Sequence, residues 1–156
     1  MGHARRAILP WLAAACVAIP PAAAAQAMQM RHLAKGMTTG QTSGNAFMVI
    51  RNADEFARTL ARQMNVEGAQ ASADGRGAID FDAEMAVGVL LSNRPTACAG
   101  VDITSISKDG IVSVVHYRER LRKPHEACAS TVTSPFDFVA IPKSDAPIRF
   151  QADGEP

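Results

Sequence analysis

The chain is poor in aromatic residues, carries no surplus of either charge and has few cysteines. Aromatics make up 5% of it, one Trp, one Tyr and six Phe, too few for a platform on which bases or sugars stack. Sixteen Lys and Arg against fifteen Asp and Glu leave a formal charge of +1, which excludes the electrostatic footprint of a nucleic-acid binder. No GxSxG, HExxH, phosphate-loop or dinucleotide fingerprint is present, and no Cys and His residues stand at zinc-site spacing. These absences lead to the expectation of no catalytic residue, no metal and no cofactor. A length of 156 residues leaves room for one domain with appendages.

What is present begins with an export signal. Arg5 and Arg6 precede the apolar run Ala7 to Ile19, and the small residues Ala22 to Ala25 follow. That order reads as a secretory signal over residues 1–25, cleaved after Ala25 or Ala27. The run is short for a bilayer span. It also continues past Cys16, which argues against lipidation there, and the residues around Arg5 and Arg6 match a twin-arginine signal poorly. Removal of the signal leaves 14 basic against 15 acidic residues. No later segment is long and apolar enough to cross a membrane as a helix. The expected location is the periplasm or the exterior.

Cleavage also turns three cysteines into two, Cys98 and Cys128. An even pair in an exported chain is expected to be oxidised, and its spacing of 30 excludes a CxxC redox motif.

Along the mature chain, Gln26 to Asn45 holds Gly36, Gly40 and Gly44 among Thr, Ser and Gln, and reads as a flexible leader (26–45) ahead of a domain at 46–150. Ala46 to Arg51 is a short apolar strand. Asn52 is an N-cap, with Asp54 and Glu55 in the first turn and Glu55 at capping-box spacing. Phe56, Leu60 and Met64, with Ala57 and Ala61, form the apolar stripe of a core-facing helix. Residues 68–77 read as an exposed connection. Met85 to Leu91 is a continuous apolar run, as in a central strand covered on both faces.

Val101–Ile106 and Ile111–Tyr117 bracket Lys108-Asp109-Gly110 as a hairpin whose Gly110 takes the left-handed conformation. A three-residue loop sets Ser107 opposite Ile111 and Val101 opposite Tyr117, and brings Cys98 toward the segment leading to Cys128. Pro135–Ile141 and Ile148–Phe150 are the last strands, followed by a polar tail from Gln151 (151–156). The expected fold is α+β, a small mainly antiparallel sandwich or partial barrel with one N-terminal helix and one disulfide.

Chemistry must then come from scattered residues. Asp80, Asp82 and Glu84 would share a face of an extended segment, but no turn glycine or ligand-bearing loop accompanies them, so a solvated turn outweighs a calcium site. His116 on a strand and His125 in a loop could do acid–base work beside a carboxylate. Arg118, Arg120 and Arg122, followed by Lys123, make a basic ridge that either protects a strand edge or meets an acidic partner. The loops Asn93–Gly100 and Leu121–Ser134 are brought to one end of the sheet by the hairpin and the cysteines, where recognition commonly sits.

Residues 79–143 carry a family resemblance. Ile79-Asp80-Phe81, the Met85-Ala86-Val87 strand, Arg94-Pro95-Thr96 with Gly100, and Thr133-Ser134-Pro135-Phe136 running to Ile141-Pro142-Lys143 look like the C-terminal domain family of the protease complex subunit PrcB. Members commonly show Gly-Gly-aromatic after the Pro-Thr step, where this chain has Ala99-Gly100-Val101. The resemblance implies a small exported β-rich domain without catalytic activity that stabilises or restrains a secreted protease. Arg94, Pro95, Thr96, Gly100, Pro124, Ser134 and Pro135 are the candidate contacts, on loops stapled by Cys98 and Cys128. Two other classes compete: a ligand-binding or hydrolytic domain built on His116 or His125, and a self-associating envelope protein.

Overall fold

The computed structural model describes residues 27–39, 43–64 and 79–154, apart from the side chains of residues 60–64. The signal segment, the connection at 68–77 and the lower half of the helical stripe lie outside the described residues. Among the described residues, seven strands and one helix follow in the order β1 (Arg31–Thr38), β2 (Ala46–Ile50), α1 (Ala53–Met64), β3 (Glu84–Leu90), β4 (Gly100–Asp109), β5 (Val112–Arg120), β6 (Ser134–Pro142) and β7 (Ile148–Ala152). They form a four-stranded sheet, β1-β6-β3-β2, and a three-stranded sheet, β4-β5-β7. Every pairing is antiparallel except β5 with β7. This is the expected α+β class with a mainly antiparallel sandwich.

The apolar run of β3 is continuous because both of its faces are covered. Met85, Val87, Val89 and Leu91 join Val101, Ile103, Ile106, Val115, Val139 and Ile141 in a core between the two sheets. The alternate residues Ala86 and Leu90 turn the other way and meet Leu33, Ile50, Phe136, Phe138 and Ala140. Phe56 of α1 closes this second core, its ring edge-on to Phe138 at 6.3 Å and tilted against Phe81 at 6.0 Å. Gly88 has no room for a side chain because a Cβ there would stand 2.2 Å from Phe138 Cε1. Helix, four-stranded sheet and three-stranded sheet are thus three layers.

The helix starts where its cap residue dictates. Asn52 Oδ1 accepts the Glu55 N–H at 2.8 Å, and Glu55 Oε2 reaches back to the Arg51 N–H at 3.3 Å, a capping box displaced by one residue.

Three expectations are corrected. The leader at 26–45 is not featureless, since Arg31–Thr38 forms β1 along β6. Just before it, Ala27 bridges Ser107 and the Met28 N–H bonds the Ile106 carbonyl at 2.8 Å, so this segment passes from one sheet to the other. The tail begins later than 151, because β7 runs to Ala152 and the Asp153 N–H bonds the Tyr117 carbonyl at 2.7 Å.

The hairpin register also differs. Asp109 faces Val112, leaving Gly110 and Ile111 as a two-residue turn, and Val101 faces Glu119 rather than Tyr117. Gly110 has the expected left-handed backbone, φ 61°. The difference arises at the turn, which is Gly110-Ile111 in place of Lys108-Asp109-Gly110, and a bulge between Ile103 and Ser105 then moves the pairing back by one residue. Ile103 and Ile106 would point to opposite faces of a regular strand, and one extra residue lets both enter the core between the sheets.

Asp137 ties the layers together. Wholly buried on β6, it accepts the Ile103 N–H of β4 at 2.7 Å through Oδ2, while Oδ1 lies 3.2 Å from His32 Nδ1 on β1. Its carboxylate thereby satisfies a donor on the edge of the opposite sheet.

Candidate functional site

Beyond the open end of the β4–β5 hairpin, the two expected loops are joined. Cys98 and Cys128 lie at disulfide distance, their Cα atoms 5.6 Å apart. Beside them the Ala97 N–H bonds the Ala129 carbonyl at 3.0 Å, and Arg94 and Thr133 exchange backbone bonds of 2.7 and 2.9 Å. The Thr133 hydroxyl donates to the Thr96 carbonyl at 3.0 Å. The loops therefore form a short irregular ladder with a covalent staple, and not two independent excursions.

The candidate contact residues divide by exposure. Pro95 and Pro124 are exposed, and Thr96 is half-buried, its hydroxyl accepting the Cys98 N–H at 3.2 Å. Gly100 opens β4, packed against the Arg120 guanidinium. Ser134 and Pro135 are buried in β6 and present no surface, which removes them as contacts. The Ser134 hydroxyl instead donates to Asn93 Oδ1 at 2.9 Å and anchors the first loop.

Arg94 is a clamp. Its Nε and Nη2 grip both carboxylate oxygens of Glu119 on β5 at 2.5 and 2.9 Å, while Nη1 donates to the Ser92 hydroxyl and carbonyl at 2.7 and 3.0 Å. The hydrogen bond to Glu119 raises the Arg94 pKa above its ordinary value, against the opposing cost of burial, so the guanidinium stays charged.

On the second of these loops, Leu121 and Val132 are large apolar side chains left 51% and 53% exposed. The basic ridge flanks Leu121 in sequence. Arg118 and Arg120 project from one face of β5, and Arg122 and Lys123 follow at its exit. Glu126 folds back onto this ridge: its carbonyl accepts from Arg122 Nε at 3.0 Å, and its carboxylate accepts the Lys123 N–H at 3.0 Å and lies 3.9 Å from Arg120.

The acidic trio does not form a metal site. Asp80 and Asp82 lie in a turn, where Asp80 Oδ1 accepts the Asp82 N–H at 3.1 Å, and Glu84 pairs with Arg31 at 2.6 Å. Among the described residues, the group with ligand atoms close enough for a metal ion is Cys98, Glu126 and Cys128, whose two sulfurs are bonded to each other. No helix among the described residues is long and apolar enough to cross a membrane.

The two histidines separate sharply. His125 is exposed, with a left-handed backbone of φ 66°. His116 is held between two partners: Nε2 lies 3.0 Å from the Ser107 hydroxyl, and Nδ1 lies 3.3 Å from Asp153 Oδ1. The sequence reading missed Ser107 and Asp153 because its register set Ser107 opposite Ile111 and assigned Asp153 to the tail. With Ser107 opposite Val114, His116 is the next residue along on the same face. His32 and Asp137 were likewise not legible, since they meet only when β1 docks on β6.

Comparison with known proteins finds no matching family model, no matching curated protein and no matching solved structure, and the resemblance to the PrcB family rests on the residues that suggested it.

Proposed function

We propose that this protein is an exported protein-binding module whose stapled loops are its recognition face. The observation that carries the reading is the union of loops 93–100 and 121–134 by one cross-link, with Leu121 and Val132 exposed on the second loop and Leu121 set among Arg118, Arg120, Arg122 and Lys123 in sequence. A rigid loop pair loses little conformational entropy on binding. Apolar anchors within a basic rim favour a partner with an apolar depression edged by carboxylates. This face acts through contact, and the partner class that the family resemblance implies is a secreted protease, stabilised or restrained by the complex.

The test is affinity capture from the exported fraction, with the mature wild-type chain and a Leu121→Asp/Val132→Asp variant as parallel baits. The reading expects a specific protein on the first bait that is absent from the second. Identical recoveries from both baits would overturn it.

A further inference from the structure

We propose that Ser107, His116 and Asp153 form a nucleophilic acyl-transfer site on the outer face of the three-stranded sheet, separate from the stapled loops. The order of contacts is the one that activates a serine. Asp153 Oδ1 faces Nδ1 of His116 at 3.3 Å, and the Ser107 hydroxyl faces Nε2 at 3.0 Å. In the proposed site the ring proton sits on Nδ1, toward the acceptor-only carboxylate, and Nε2 takes the serine proton.

The third member is itself positioned. Asp153 Oδ2 accepts the Thr104 hydroxyl at 2.7 Å, and its N–H bonds the Tyr117 carbonyl at 2.7 Å. Serine and histidine stand on paired strands, β4 and β5, and so hold their separation better than two loop residues would. The His116 and Asp153 side chains are about a quarter exposed, 23% and 26%. A small substrate can therefore reach the ring, while the pair is partly shielded from water.

This limited access suits small acyl esters with acidic leaving groups better than extended chains. Ser107 Oγ adds to the acyl carbon as its proton passes to His116 Nε2. The bond from that carbon to the leaving oxygen then breaks, and the leaving oxygen takes the proton from Nε2. Water next attacks the acyl-serine ester, giving a proton to Nε2. Ser107 Oγ departs with that proton, so a carboxylic acid is released and the hydroxyl is restored.

The test treats the mature chain with a fluorophosphonate probe and, separately, with p-nitrophenyl acetate. Intact mass and peptide mapping should place one phosphonyl group on Ser107, absent from Ser107→Ala. The labelling rate should fall by about 10²-fold in His116→Gln and by a smaller factor in Asp153→Asn, with unchanged melting in all three. The ester should give acetyl-Ser107 as an intermediate. The proposal is overturned by label spread over several serines, by no label at all, or by nitrophenol release as fast in Ser107→Ala as in wild type. None of these outcomes bears on the stapled face, which the capture experiment reads independently.

Discussion

Asp137→Ala exposes how much of the sandwich depends on one buried carboxylate. Asp137 is 0% exposed and accepts the Ile103 N–H at 2.7 Å. A backbone bond to a charged acceptor contributes about 1.5–3 kcal/mol, and an orphaned buried donor costs about 1–3 kcal/mol. Alanine removes the acceptor, leaves the Ile103 N–H unpaired and opens a small void, for an expected loss of about 2–4 kcal/mol. Asparagine keeps an oxygen for Ile103 and offers its amide to His32, so its cost should stay near 1 kcal/mol. The His32 ring, half exposed, adds no more than about 1 kcal/mol. Urea unfolding followed by circular dichroism measures each loss, provided the slope of stability against denaturant stays constant. Hydrogen exchange at the Ile103 amide should accelerate in the alanine variant and much less in the asparagine one. If alanine matches wild type within about 0.5 kcal/mol, or if both variants lose the same amount, the inter-sheet bond has no stabilising role.

Cys98→Ser should cost about 2–4 kcal/mol through the freed loop, and equal melting under reducing and oxidising conditions would refute the staple. Gly88→Ala should cost about 1–3 kcal/mol because the added methyl meets the Phe138 ring; thermal unfolding that leaves Tm unchanged would mean the ring is free to move. Arg94→Met should lower stability by about 1–3 kcal/mol through the lost bidentate pair with Glu119, yet leave capture of the partner intact, since Arg94 faces its own chain. Loss of capture without loss of stability would make Arg94 a contact residue after all.

Much of the fold was legible because its signals are local. The cap at Asn52, the doubly covered run of β3 and the left-handed Gly110 each rest on a few adjacent residues, and the cysteine pair rests on an even count in an exported chain. β1 was not, because its strand residues include Lys35 and Gly36 and it looks like a leader until it lies on β6. There Gly36 accommodates the Phe136 ring, to which a Cβ would stand 3.1 Å from Cζ. The loops were correctly brought together, but Ser134 and Pro135 read as surface only while β6 had no neighbours.

Composition and local pattern alone settled the class of fold, the helix and its start, the strands that form the core and the cysteines that meet. The first three follow from backbone preference or from the pattern of apolar side chains, which act over a few residues, and the cysteine pair follows from its even count in an exported chain. Tertiary structure decided the hairpin register, the two sheets, the parallel β5–β7 pair and the meeting of Ser107, His116 and Asp153. Those depend on which buried faces fit one another across distant parts of the chain. The bulge beside Thr104 exists because Ile103 and Ile106 must enter the same core, a requirement set by the opposite sheet.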